Sequence, residues 1–133
     1  MKADSSNFSG RKGSLKDRID SFRNALRGLH ILIKSQANAR IHVAILILVV
    51  IAGLILRITI NNWIAIAFAA GLVLSGECFN TAIEYLSDIV SPQYNETIKK
   101  LKDISAAGVL ISAIISVLIG IAIFLPRLVN LFA

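Results

Sequence analysis

An all-α membrane protein, an N-terminal amphipathic surface helix followed by three transmembrane helices, is the fold class predicted for this chain of 133 residues. Three observations predict it. Hydrophobic residues make up 56% of the chain and the mean hydropathy is +0.73, too apolar for an ordinary soluble domain. Nine of the fourteen Lys and Arg residues fall within residues 1–40. Beyond them come three long apolar runs separated by polar turns. This division suggests a basic segment resting on an anionic membrane surface, with a membrane bundle after it. No nucleic-acid module follows the basic end, so nucleic acid is not an expected partner.

Residues 1–13 are rich in Ser, Gly and charge, and read as a disordered tail rather than a signal peptide, since no apolar stretch follows them. Residues 14–133 form one domain. From Ser14, apolar residues recur at Leu15, Ile19, Phe22, Leu26, Leu29 and Ile33, while Lys16, Arg18, Arg23, Arg27 and Lys34 occupy other faces. This is a basic amphipathic helix over about 14–35, lying in the membrane interface. Ser14 and Asp17 make a capping-box-like start. The first span is expected at 42–60, with Arg57 snorkelling to the interface, and the turn is placed at Asn61-Asn62. The second span, 63–90, begins at Trp63, a suitable interfacial anchor, and ends at Ser91-Pro92. The third, 103–126, opens at Lys102-Asp103, is closed by Pro126, and carries small residues that permit close helix contact. Twelve of the fourteen basic residues lie in the N-terminal segment and the 91–102 loop, which places both on the cytoplasmic side.

The second span carries the chemistry. Glu77, Asn80, Glu84 and Asp88 are spaced i, i+3, i+7 and i+11. At about 100° per residue they fall within an arc of about 80°. An ionisable residue at the centre of a span costs roughly 2.5–3.5 kcal/mol, so such a stripe must face a partner, a metal ion or water. The plainer alternative is that the stripe is solvated among lipid headgroups. Cys78, the only cysteine, reads as a small packing residue. His30 and His42 read as interfacial or packing residues, and Tyr85 and Tyr94 as headgroup-level residues. Carboxylates, an amide and Lys102 at a membrane surface suit Mg²⁺ and phosphate oxygens. No P-loop or kinase glycine loop occurs. On residues alone, a proton-coupled transporter or a scaffold without chemistry stays open.

The pattern Glu77-x-x-Asn80-Thr81-Ala82-Ile83-Glu84-x-x-x-Asp88, followed by Lys102-Asp103 and a run of small residues, resembles the prokaryotic diacylglycerol kinase family, which includes the undecaprenol kinases. Ser21-Phe22-x-Asn24-Ala25-x-x-Gly28 and Asn38-Ala39-Arg40-Ile41-His42 resemble its surface helix and junction, so that the similarity runs over about residues 20–126. The resemblance implies a homotrimeric lipid kinase of the bacterial inner membrane, with its N-terminus cytoplasmic and active sites between subunits. It implies transfer of the γ-phosphoryl group of MgATP to a lipid hydroxyl, with diacylglycerol the first expectation and undecaprenol the alternative. By position, Glu77 is implied as the general base, Glu84 as a metal ligand, and Lys102 as the contact to nucleotide phosphates. Asn80, Asp88 and Asp103 are implied to line the nucleotide site, with Gly28 and Arg40 beside it. Gln36 stands where the family usually has a second metal-binding glutamate. Its amide oxygen can ligate Mg²⁺ without charge; alternatively another acid substitutes, or the site is weakened or inactive.

Overall fold

The computed structural model describes residues 14–132, so the reading of residues 1–13 as a disordered tail lies outside them. The described residues form four helices: α1 (Leu15–Ser35), α2 (Ala37–Ile55), α3 (Ile60–Val90) and α4 (Glu96–Phe132). α2, α3 and α4 are each long and apolar enough to cross a membrane. The chain divides into two compact units, Met1–Ile31 and Leu32–Ala133.

In the first unit, α1 starts as its sequence dictates. The Ser14 backbone N–H donates to Asp17 Oδ2 at 3.2 Å, and the Lys16 N–H donates to Ser14 Oγ at 3.4 Å. Donors that the first helical turn cannot satisfy internally thereby find side-chain acceptors.

In the second unit, α1 gives way to α2 at Gln36, whose backbone is extended (φ −105°, ψ 121°) and whose side chain makes no capping bond. Arg40 instead serves the end of α1. Its Nη1 donates to the carbonyls of Ile33 at 3.3 Å and Lys34 at 3.2 Å. α2 therefore begins several residues before position 42, because the polar Ala37–Ile41 stretch has its own backbone partners and needs no lipid to become helical.

The α2–α3 turn is at 56–59, not at Asn61-Asn62, which lie in the first turn of α3. Arg57 has φ 48°, the left-handed conformation that closes a helix. The Arg57 N–H bonds to Leu54 O at 3.3 Å and the Ile58 N–H to Gly53 O at 3.1 Å, which makes a full Schellman end. Gly53 is required here for space. A Cβ on it would lie 2.8 Å from Trp63 Cη2 and 3.0 Å from Ile58 Cδ1. Trp63 thus packs across α2, and with Ile58, Ile66 and Ile123 it forms the apolar core of this end.

α4 starts two turns before Asp103, since Asn95 caps it: Asn95 Oδ1 accepts from the Thr97 N–H at 2.9 Å and the Ile98 N–H at 3.2 Å. Glu96–Lys100 and Lys99–Asp103 pairs support that first stretch. α4 also runs through Pro126 to Phe132. The proline forfeits one backbone bond, a loss that helices in a membrane setting tolerate.

α3 and α4 pack as an antiparallel pair along their length, and α2 touches α3 more sparsely. Small and polar side chains set the register. Ser105 Oγ donates to Asn80 Oδ1 at 2.6 Å, Gly76 lies 3.7 Å (from its Cβ position) from Val109 Cα, and Ser116 Oγ donates to the Ala69 carbonyl at 3.1 Å. Gly108 and Gly120 face open space instead. At the far end Arg127 donates to Ile123 O at 2.8 Å, and the Asn62 carboxamide, turned with its oxygen toward the guanidinium, accepts from Arg127 Nη2 at 2.8 Å. Few aliphatic side chains are buried, while Leu48, Phe68, Leu118 and many others are exposed on the long helices.

Candidate functional site

The polar stripe of α3 does not have one environment. Glu77, nearest the middle of the helix, is 1% exposed. Asp88, almost three turns later, has a side chain 65% exposed. Glu84 lies between them and is half-buried. A stripe on one helix face thus passes from apolar interior to open surface, and each acid meets different chemistry.

Glu84 is held from both sides. Gln36 Nε2 donates to Glu84 Oε2 at 3.0 Å, and Asn80 Nδ2 donates to Glu84 Oε1 at 3.0 Å. Asn80 in turn accepts from Ser105 on α4. One carboxylate therefore ties α3 to the start of α2 and, through Asn80, to α4. Asp88 pairs with Lys102 Nζ, which joins the end of α3 to α4.

Glu77 faces a cavity of about 250 Å³, lined also by Asn38, His42, Asn80, Val109 and Ala113. His42 Nε2 is 3.3 Å from Glu77 Oε1, within ion-pair range. The contact is looser than a good hydrogen bond, and Glu77 Oε1 has no other polar partner among the described residues. A buried acceptor left unpaired costs on the order of 1–3 kcal/mol, so it is poised to accept a hydrogen from something that enters the cavity. A second, apolar groove of about 290 Å³ runs between α2, α3 and α4 and reaches His42 as well. The two spaces share His42 and Ala113.

Of the residues singled out by sequence, the structure gathers Gln36, Asn80 and Glu84 into one hydrogen-bonded group and joins Asp88 to Lys102. Glu77 lies one turn before Asn80 and shares its cavity. Asp103 is not drawn in; it pairs with Lys99 at 2.6 Å on an exposed face. Arg40 caps α1, and Gly28 lies on α1 in the first unit. Sequence reasoning missed Ser105, Asn38 and above all His42, which it took for a packing or interfacial residue. A signal was available. An acid within an apolar helix needs a partner, and His42 is the ionisable residue nearest that depth on the preceding helix.

The donor set can be tested against Mg²⁺. The described residues hold no group of three His, Cys, Asp or Glu able to cage a metal ion. Mg²⁺ is ordinarily bound by one or two carboxylates plus substrate phosphates, and Glu84 supplies one carboxylate. The Gln36 group that meets Glu84 is the Nε2 donor, so the Gln36 oxygen would join it on a cation only with the amide turned over.

Fold and site together define a helical protein of the membrane-spanning kind, with a polar cluster on its long helices beside an apolar groove. The sequence model described as "Prokaryotic diacylglycerol kinase" matches residues 23–124. The chain belongs to this family of lipid kinases. It is 35% identical over 108 residues to a protein named undecaprenol kinase from Bacillus subtilis, across 81% of this chain and 88% of the relative. It is also 35% identical over 112 residues to a diacylglycerol kinase from Synechocystis sp., across 84% of this chain and 64% of that relative. Kinase membership brings ATP as the co-substrate and sets aside the transporter and scaffold readings.

Proposed function

We propose that this protein transfers the γ-phosphoryl group of MgATP to the hydroxyl of a membrane lipid alcohol, with Glu77 as the base. The observation that carries this reading is the buried Glu77, whose Oε1 has only the loose His42 contact and which lines a cavity that adjoins an apolar groove. A lipid whose tail lies in the groove brings its hydroxyl to that oxygen. As the hydroxyl oxygen bonds to the γ-phosphorus, its proton passes to Glu77 and the bond to ADP breaks.

Glu84, with the Gln36 amide oxygen, is the proposed holder of the nucleotide's Mg²⁺, which neutralises phosphate charge when bound. Asn80 fixes Glu84. Lys102, steadied by Asp88, is the proposed contact to phosphate oxygens, with Asp103 and Arg40 proposed to border the nucleotide. The site end faces the cytoplasm, since most of the basic residues gather there. That orientation in a bacterial inner membrane gives access to ATP. The assembly is a homotrimer, which covers apolar faces that a single chain leaves bare.

Undecaprenol gains a small margin over diacylglycerol as the acceptor. The match to the relative named for it covers 88% of that protein, against 64% for the other. The test is a phosphoryl-transfer assay in mixed micelles with labelled ATP and Mg²⁺, offering both lipids side by side with Glu77→Gln as the blank. Labelled lipid above the blank supports the reading and names the acceptor. No product from a folded oligomer with either lipid would overturn it.

A further inference from the structure

Glu77 has almost no direct contact with solvent. Its side chain is only 2% exposed, and the side chains that α4 presents to the cavity, among them Ala106, Val109 and Leu110, carry no ionisable group. On its own helix the nearest acid is Glu84, whose two oxygens are already bonded to Gln36 and Asn80. His42, on α2, differs in both respects. Its Nε2 is 3.3 Å from Glu77 Oε1, and its side chain is 22% exposed. It also borders both the polar cavity and the apolar groove.

We propose that His42 is the proton relay of this site, a positioning residue that acts through Glu77 and resets it after each transfer. The inference rests on the reading of Glu77 as base. In the first step the lipid hydroxyl gives its proton to Glu77, its oxygen bonds to the γ-phosphorus, and ADP leaves. In the second, the Glu77 carboxylic acid passes that proton to the neutral His42 imidazole. The imidazolium then releases it to water or buffer, restoring both groups. No oxidant or further reactant is needed. The loose geometry between His42 and Glu77 suits this order, because a tight bond would occupy the oxygen that the substrate must reach.

The test separates the first turnover from later ones. His42→Gln retains a polar side chain of similar reach but cannot carry a proton. Rapid-quench measurement with labelled ATP, Mg²⁺ and micellar undecaprenol or diacylglycerol should show a first turnover at the wild-type rate, about one product per site. The following steady state should be slower by at least about tenfold, with kcat/KM for ATP unchanged. Added imidazole should speed that second phase and leave the first untouched. His42→Glu, which can accept and release a proton, should keep the fast steady state, and it serves alone if the Gln variant does not fold.

The relay is overturned if His42→Gln turns over at the full steady rate, if both phases slow together, if imidazole has no effect, or if His42→Glu is slow. A fully active Glu77→Gln would instead sink the base reading beneath it. An inactive Glu77→Gln beside an unimpaired His42→Gln would sink the relay alone.

Discussion

Glu77 and Glu84 lie two turns apart on one helix face, yet they are built for different work. Glu77 has an oxygen with only the loose His42 contact, and Glu84 has two oxygens that each accept a hydrogen bond. Glu77→Gln should therefore lower kcat by about 10²-fold or more while leaving the KM for ATP near wild type, since it removes a proton acceptor and little else. Glu84→Gln should raise the Mg²⁺ needed for half-maximal rate, as read from a metal titration. Equal profiles for the two variants would show that their roles are not divided. Gln36→Glu sets two carboxylates against each other across a 3.0 Å contact. It should tighten the apparent Mg²⁺ affinity and lower the thermal midpoint in chelator, and an unchanged Mg²⁺ affinity would place Gln36 away from the ion.

At the scale of the element, the helices were legible and their ends were not. Hydropathy marks the stretch that prefers lipid, whereas helix formation follows backbone hydrogen bonds. α2 extends into polar Ala37–Ile41, and α4 into Glu96–Lys102, where the Asn95 cap and i,i+4 pairs satisfy the chain. The stripe on α3 was legible because one helix fixes its own angles. The contact of His42 with Glu77 was not, because the rotation of α2 against α3 is set by packing that no single-helix period contains. Gly53 is part of that packing. Gly53→Ala should destabilise the protein by about 1–3 kcal/mol through the clash with Trp63, read as a lower unfolding midpoint in detergent. Trp63→Leu in the same chain should recover most of the loss, and simple additivity of the two changes would contradict the packing argument.

At the largest scale, the second unit is a pair of closely matched helices, α3 and α4, with α2 set more sparsely against α3. α3 and α4 are pinned at Asn80–Ser105, at Ala69–Ser116 and at Asn62–Arg127. α2 is held to α3 chiefly near its ends, by Gln36–Glu84 and by Trp63 over Gly53. The bare apolar surface of the three helices asks for lipid or for copies of the chain. The proposed trimer should appear as a single species three times the 14.4 kDa chain mass in detergent-corrected light scattering, and a monomer with full activity would contradict it.

The uneven packing also decides which part of the molecule can move. Sliding α4 past α3 would break every pin at once, so that pair behaves as a fixed wall. α2 has fewer contacts to lose, so the expected motion is of α2 about the Arg57 turn. On the proposed reading, a lipid acceptor would then enter and leave past that helix, and not under a lid over the nucleotide. Amide exchange along α2 should outpace that of α3 and α4, and slow when the lipid acceptor is bound. Uniform exchange over all three helices would mean that the gate lies elsewhere.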